Sequence, residues 1–123
     1  MNSNELLSDK TFAFAVRVLV LQKNMSEENK TNEITREFVR AGTVQGAIVR
    51  EVNYAQSFED AIDILKRTQK EVIDTRYWLD LLLFSEMISE DEFNSIDKDA
   101  QNILSLITKV MLTQQNRNSY NDN

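Results

Sequence analysis

The side chains best suited to chemistry in this sequence are carboxylates, because its 123 residues include neither histidine nor cysteine. Glu71 and Asp74 stand three residues apart, as do Asp60 and Asp63, so each pair would share one face of a helix. Paired carboxylates can act as general acid and base, and an enzyme of this type would use Glu51, Glu71 or Asp74. Solvated, ion-paired or helix-capping carboxylates are the alternative, and we favour that interpretation.

The missing residue types exclude several classes of site. Without histidine there can be no Glu-x-x-His di-metal centre of the ferritin type, no histidine-ligated zinc and no histidine-based triad. Without cysteine there are no disulfides and no thiolate nucleophile. A phosphate-binding glycine loop is also absent, because the two glycines are not followed by Lys-Ser/Thr. We therefore predict a protein that is not an enzyme, with no catalytic residues, cofactor or metal.

Three arginines, Arg36, Arg40 and Arg50, are the candidate contacts for nucleic acid. They alternate with acidic residues, and intrahelical or intersubunit ion pairs are the alternative for them. The chain carries a formal charge of −6, and residues 57–123 account for the whole excess, with thirteen acidic and seven basic residues. Nucleic-acid binding relies on cations that displace counterions from phosphates, so the acidic balance disfavours it.

These side chains must be positioned by helices, because the chain has no proline, only two glycines, and many Leu, Ile, Val, Glu, Gln and Lys residues. Ser8, the pair Ser57 and Asp60, and the sequence "SEDE" (89–92) are the predicted N-terminal caps. The sequence thus predicts a single all-α domain, an up-and-down four-helix bundle over residues 1–123. The predicted helices cover about 9–25, 33–54, 58–86 and 90–115, followed by a polar tail at 116–123.

Apolar residues exceed what one bundle core needs. In the first helix, Phe14, Val18, Leu21 and Met25 mark one face, while Phe12, Ala15, Val16 and Leu19 mark another. The stretch "YWLDLLLF" (77–84), which contains Trp78 and Leu81, is apolar around most of its circumference. An aromatic ligand pocket is one explanation, but we favour a helix that is buried both in the core and in a subunit interface.

Both glycines, Gly42 and Gly46, lie inside the second predicted helix and on the same face. A glycine inside a helix costs about 1 kcal/mol relative to alanine. With Ala41 and Ala47 beside them, the glycines would form a notch that another helix can approach closely, and the dispersion attraction at so short a distance would offset that cost. The approaching helix could come from the same chain or from a neighbouring subunit.

Two motifs carry a resemblance to a known family. The stretches "VRAGTVQGAIVRE" (39–51) and "KEVIDTRYWLDLL" (70–82) resemble those of the small four-helix-bundle proteins encoded in intervening sequences of bacterial 23S ribosomal RNA genes. That family carries an Arg-Ser-Gly-Thr-Ser-Ile-Gly-Ala-Asn-Ile-x-Glu motif on the second helix and Lys-Glu-x-x-Glu-Thr-x-x-Trp-Leu on the third. The first motif is matched here by Arg40, Gly42, Thr43, Gly46, Ala47 and Glu51, and the second by Lys70, Glu71, Thr75, Trp78 and Leu79.

The chain departs from those motifs at three positions. Ile48 stands where the family has Asn, Gln45 where it has an aliphatic residue, and Asp74 where it has Glu. If the family residues form a buried polar network, Glu51, Glu71 and Thr75 would be the members that this chain keeps.

The resemblance implies a bundle that assembles into a ring-shaped homo-oligomer, commonly a pentamer, with no established catalysis. It favours a non-enzymatic scaffold that binds itself and a protein partner. Some relatives, the accessory proteins of diversity-generating retroelements, are strongly basic and associate with nucleic acid, so a nucleic-acid-binding accessory protein is the alternative. No secretory leader or membrane span is predicted, and we expect the protein to be cytoplasmic.

Overall fold

Four long helices make up the chain, in a computed structural model that describes the backbone of residues 2–121 and the side chains of residues 2–119. The described residues contain no strand. The prediction of an all-α four-helix fold is confirmed. In chain order the elements are α1 (Ser3–Glu27), α2 (Glu33–Arg50), a short 3-10 turn (Glu51–Tyr54), α3 (Phe58–Phe84) and α4 (Glu90–Asn121).

Each helix packs against two others, in the order α1 on α2, α2 on α3, α3 on α4 and α4 back on α1. Short connections join consecutive helices, so each helix runs antiparallel to the one before it, and α1 and α3 run in the same direction. The core is filled by apolar side chains that recur every three or four residues. Its largest fully buried apolar members include Leu7, Phe14, Val18, Met25, Phe38, Leu65, Val72, Leu79, Leu82, Ile107 and Val110.

The start of α1 corrects the prediction that Ser8 caps this helix. The helix begins at Ser3, and the cap is Asn2, whose side-chain oxygen accepts a hydrogen bond from the backbone N–H of Glu5 at 2.8 Å. Leu7 is fully buried in the core. Because the earlier start brings Leu7 into the core, packing favours it over a start at Ser8.

The other helix starts follow the chemistry of capping side chains. Ser89 and Glu92 form the predicted reciprocal capping box, with bonds of 2.9 and 3.1 Å. Ser57 caps α3 by accepting from the backbone of Asp60, but the Asp60 carboxylate accepts from the backbone of Gln56 instead of completing the box. α2 starts with an unpredicted capping box between Asn32 and Thr35.

The C-terminal end of α4 corrects a second prediction. Residues 116–121, expected as a polar tail, continue the helix to Asn121, while residues 122 and 123 lie outside the described residues. Thr113 and Arg117 line a small cleft together with Asn2, Ser3 and Asn4. Because α1 starts early, the last turns of α4 have a neighbour, and this packing explains a helix that the polar composition does not predict.

Two links between helices use left-handed backbone at residues other than glycine. Asn29, after α1, has φ of 59°, and Glu86, after α3, has φ of 60°. Glycine is the usual residue in such positions because it lacks a Cβ. Neither of the chain's two glycines is used there.

Candidate functional site

The glycine notch of α2 is occupied by α1 of the same chain. A Cβ added at Gly42 would lie 2.7 Å from Cγ2 of Val18, so a methyl group there has no room. A Cβ added at Gly46 would lie 3.5 to 3.7 Å from atoms of Thr11 and Phe12, which is ordinary van der Waals contact. The sequence left open whether the approaching helix belongs to the same chain, and the structure places α1 at the notch.

The candidate catalytic carboxylates are paired with cations or used as caps. Asp74 accepts a bond from Lys70 at 2.7 Å, Glu71 lies 3.4 Å from Arg40, and Glu51 accepts from Arg67 at 3.0 Å. Asp60 accepts from the Gln56 backbone near the start of α3. Asp63 is exposed. Among the described residues, no group of three or more acidic side chains could hold a metal ion.

The three candidate nucleic-acid arginines each have a partner within the chain. Arg36 forms an ion pair with Glu33, and Arg40 lies 3.4 Å from carboxylate oxygens of both Glu37 and Glu71. Burial alone would lower the pKa of Arg40, but the two carboxylates outweigh it and raise that pKa. The guanidinium of Arg50 sits 5.8 Å from the centre of the Phe12 ring, within the range of a cation–π contact.

A buried polar contact joins α2 to α3. The side-chain amide of Gln45 donates to the hydroxyl of Thr75 at 2.9 Å, and that hydroxyl donates to the backbone carbonyl of Glu71 at 2.7 Å. Two further buried atoms, Oε1 of Gln45 and Nε1 of Trp78, have no hydrogen-bond partner among the described residues. Oε1 of Gln45 is an acceptor and Nε1 of Trp78 is a donor.

The buried polar network that the resemblance implied is only partly present. Thr75 is fully buried and the Glu71 side chain is 15% exposed, so both lie in or near this contact. Glu51 does not belong to it, because its side chain is exposed and pairs with Arg67. The core side of this segment is occupied by Gln45, Val49 and Val52 at helical spacing, and Glu51 falls outside that stripe.

The most unusual surface feature is an apolar stripe on the outward side of α1. Phe12, Val16, Leu19 and Val20, which we call the α1 outer face, are each between 46% and 57% exposed. The opposite stripe of the same helix, which contains Phe14 and Val18, is the one that fills the core. Large contiguous apolar patches often mark interaction sites, so this face is a candidate interaction surface.

A second apolar stripe lies on the outward side of α3. Ile73, Tyr77 and Phe84, which we call the α3 outer face, are between 53% and 85% exposed. Of the predicted interface residues near it, Trp78 and Leu81 are partly buried, and the Trp78 ring meets that of Tyr77 edge-on with centroids 5.1 Å apart. Ala47, the third predicted interface residue outside the glycines, is exposed on α2.

Sequence reasoning included Tyr77 and Phe84 in the apolar stretch at 77–84 but did not single out Ile73. Ile73 lies one turn before Tyr77 on the same face of α3, so helical spacing from the apolar stretch at 77–84 could have located it.

The cavities of the bundle are shallow, and the two largest within the described residues are lined mainly by apolar, amide, hydroxyl and basic side chains. One of about 400 Å³ lies between α1 and α4, over an apolar floor that includes Phe14 and Ile103, with Lys10 and Lys109 among its lining residues. Another, of about 440 Å³, lies at the end where α3 begins and α4 ends, and is lined largely by amide and hydroxyl side chains. No helix within the described residues is long and apolar enough to cross a membrane.

Comparison with known proteins places these features in a family. A sequence model of the family described as 23S rRNA-intervening sequence protein matches residues 5–109. A crystal structure of a protein of unknown function from the S23 ribosomal protein family of Bacteroides thetaiotaomicron is similar in fold, with a TM-score of 0.86. That protein is 34% identical in sequence, and the similarity covers 89% of this chain and 98% of the other. No curated protein matches the sequence.

Proposed function

The chain belongs to the 23S rRNA-intervening sequence protein family, and on that premise we propose that it is a non-enzymatic scaffold that assembles with copies of itself. The assembly is a ring, for which the resemblance to the family implies five copies, and it offers a binding surface to a protein partner. We propose that it acts in the cytoplasm.

The observation that carries the proposal is the α1 outer face. Its four large apolar side chains are about half exposed in the isolated chain, and they follow one another along a single helix face. Covering them with another protein surface would remove apolar area from water, which favours association by about 25 cal/mol per Å² before the costs of association are counted. A second copy of the chain supplies such a surface at the α3 outer face.

The ion pairing of the candidate carboxylates supports a role without catalysis. Catalytic carboxylates usually share a water-poor cleft that perturbs their pKa values. Here Glu51 and Asp74 pair with cations at exposed positions, and Glu71 pairs with Arg40 along the contact between two helices. The pairs of Glu51 and Glu71 link neighbouring segments and that of Asp74 lies within α3, so each of these three candidate carboxylates is engaged in an ion pair.

Size-exclusion chromatography with light scattering tests the proposal on the intact chain. At micromolar concentration we expect a mass several times that of the 14.3 kDa chain, about fivefold for the pentamer. A single species at the mass of one chain would contradict the proposal.

The ultraviolet spectrum of the same fractions tests the nucleic-acid alternative. A protein spectrum free of nucleic acid agrees with the scaffold, because Arg36, Arg40 and Arg50 already have partners within the chain. Co-purifying nucleic acid that is released by salt would instead favour the accessory-protein function.

A further inference from the structure

We infer that neighbouring copies meet through a heterologous contact, in which the α1 outer face of one copy lies parallel to the α3 outer face of the next. This inference rests on the proposed function, because it specifies which surfaces join the subunits of the scaffold. Three features carry it: the equal height of the two faces in the bundle, their identical spacing, and the order of charges along them.

The two faces lie at the same height along the bundle axis. Val18 of α1 is level with Gly42 of α2, since a Cβ added at Gly42 would lie 2.7 Å from Cγ2 of Val18. Gln45 lies three residues further along α2, about 4.5 Å nearer the start of α1, and it is level with Thr75 through their hydrogen bond. The middle of the α1 outer face is therefore level with the middle of α3, where Ile73 and Tyr77 lie.

Equal height matters because α1 and α3 run in the same direction. A rotation about an axis parallel to the bundle keeps every residue at its height, so it brings α1 of one copy beside α3 of another in parallel and in register. Each copy then uses two different surfaces, and such a contact repeats from copy to copy, closing into a ring when the successive rotations add up to a full turn. The number of copies is set by the rotation at each step.

The two faces also share one pattern of spacing. One line of exposed positions along α1 follows steps of four, three, four, three and four residues, with Val20 beside it, and a line of exposed positions along α3 follows the same steps. Matching spacing allows side chains of one helix to pack between those of the other along the whole contact. The positions that correspond are 5, 9, 12, 16, 19 and 23 on α1 and 66, 70, 73, 77, 80 and 84 on α3.

The order of charges selects the parallel arrangement. The α1 face begins with two exposed acidic residues, Glu5 and Asp9, continues with apolar residues, and ends with a lysine at position 23. The α3 face begins with two exposed lysines, at positions 66 and 70, of which the second also pairs with Asp74 of its own chain, and continues with apolar residues that surround Asp80. A parallel contact places acids opposite lysines at one end and Lys23 near Asp80 at the other, whereas an antiparallel one places like charges together.

Two single substitutions test this contact, one on each face. Val16→Glu places a carboxylate in the α1 outer face, and Tyr77→Glu does the same in the α3 outer face. Both residues are about half exposed in the chain, so the helical circular dichroism of each variant should match the parent. We expect each variant alone to have the mass of one 14.3 kDa chain in light scattering.

Mixing the two variants gives the decisive result. The Tyr77→Glu chain keeps an intact α1 face, and the Val16→Glu chain keeps an intact α3 face, so one contact can form and no further copy can add. We expect the equimolar mixture to form a dimer with one chain of each kind. As a matched control, Leu112→Glu changes an apolar residue of α4 that is 53% exposed, and it should leave the assembly intact.

Each other outcome overturns the inference in a recognisable way. Assembly by Tyr77→Glu alone, with Val16→Glu monomeric, would indicate a symmetric contact between two α1 faces. Two variants that both assemble like the parent, or two monomeric variants that fail to combine, would show that these faces do not form the heterologous contact while the scaffold itself remains. A parent chain that is monomeric would instead contradict the proposed function.

A charge exchange tests the parallel register independently. Asp9→Lys alone should weaken the assembly, because it places a lysine opposite Lys70, and the double change Asp9→Lys with Lys70→Asp should restore it. An antiparallel contact predicts no such restoration. The measurement is the chain concentration at which the assembly dissociates, compared at equal ionic strength.

Discussion

α2 and α4 both lie against α1, but they are attached to it in different ways. On the α2 side, the side chain of Val18 meets the backbone at Gly42 with no space for a methyl group between them. On the α4 side, Arg17 pairs with Asp99 and donates to the hydroxyl of Ser95 at 2.7 Å, and a cavity of about 400 Å³ lies alongside. The α2 contact is distinguished by its close fit, whereas the α4 contact adds an ion pair to its apolar packing.

This difference indicates what each contact can tolerate. A close-packed contact between helices is disturbed by a single added carbon but is little affected by salt or acid. A contact held by partly exposed charges tolerates changes of size but weakens with ionic strength and low pH. α4 is held by charge on its other side as well, because Asp97 pairs with Arg76 of α3 at 2.8 Å.

The largest effect that separates the two contacts is expected from Gly42→Ala. The added methyl group would lie 2.7 Å from Cγ2 of Val18, a side chain whose rotamer is fixed in a helix. Overpacking of this kind costs about 1–3 kcal/mol, which outweighs the gain of about 1 kcal/mol in helix propensity. We expect a net loss of about 1 kcal/mol in the free energy of unfolding, measured by urea denaturation at fixed chain concentration.

Gly46→Ala is the matched control for that substitution. The same methyl group at position 46 would find only ordinary contacts with Thr11 and Phe12. The propensity gain should therefore remain, and stability should rise by about 0.5–1 kcal/mol. If both alanine variants changed stability in the same direction, the close contact at Gly42 would not be the cause.

A smaller effect is expected from Asp97→Asn, and it should depend on pH. Burial alone would raise the pKa of Asp97, but hydrogen bonds from Arg76 and Gln101 and the charge of Arg76 outweigh it, so the pKa is lowered. A carboxyl with a lowered folded pKa stabilises the protein above its unfolded pKa of about 3.9, and this contribution is lost as pH falls through the folded value. Near neutral pH we expect the variant to lose about 1–2 kcal/mol, as for a hydrogen bond to a charged group.

The pH profile distinguishes this electrostatic role from simple loss of packing. The parent should lose its advantage over Asp97→Asn as the pH is lowered below about 4, because the parent carboxylate becomes protonated. Thermal unfolding followed by circular dichroism across this range measures the difference. Asp63→Asn, at an exposed position of α3, is the control and should track the parent; a difference for Asp97→Asn that stays constant with pH would contradict the explanation.

The smallest effect is expected where α4 meets α1. Arg17 and Asp99 are each 41% exposed, and exposed ion pairs contribute at most about 1 kcal/mol. Arg17→Met should therefore cost less than about 1 kcal/mol, and the cost should shrink as salt is added. The effect of Gly42→Ala, measured in the same salt series, should stay constant. A salt-independent loss for Arg17→Met would show that Arg17 contributes through packing and not through its charge.

Much of the fold could be predicted from the sequence because it depends on local patterns. The predicted family and four-helix architecture are confirmed. Both predictions could be made because they rest on helical spacing, on composition and on two motifs that occur in order. The capping box at Ser89 and Glu92 was predicted for the same reason. The wrong predictions, at the start of α1 and the end of α4, lie where each helix is extended by the presence of the other.

The parts that could not be predicted depend on which elements meet in space. The glycine spacing indicated a close approach but not that α1 of the same chain makes it. Arg40 of α2 and Glu71 of α3 are 31 positions apart in the sequence, and their ion pair joins the two helices. Helical periodicity gives no information on such pairs. Glu51 was placed in a buried network by resemblance alone, but it lies outside the buried stripe of its segment and pairs with Arg67 at the surface.

The early start of α1 has a practical consequence. Asn4 lies beside Gln114 and Arg117, so the first turn of α1 and the last turns of α4 are at the same end of the bundle. In a ring built by rotation about an axis parallel to the helices, this end of every copy lies on the same side of the ring. Reporter domains fused at either terminus would therefore all lie on one side of such a ring, and the opposite side would carry none.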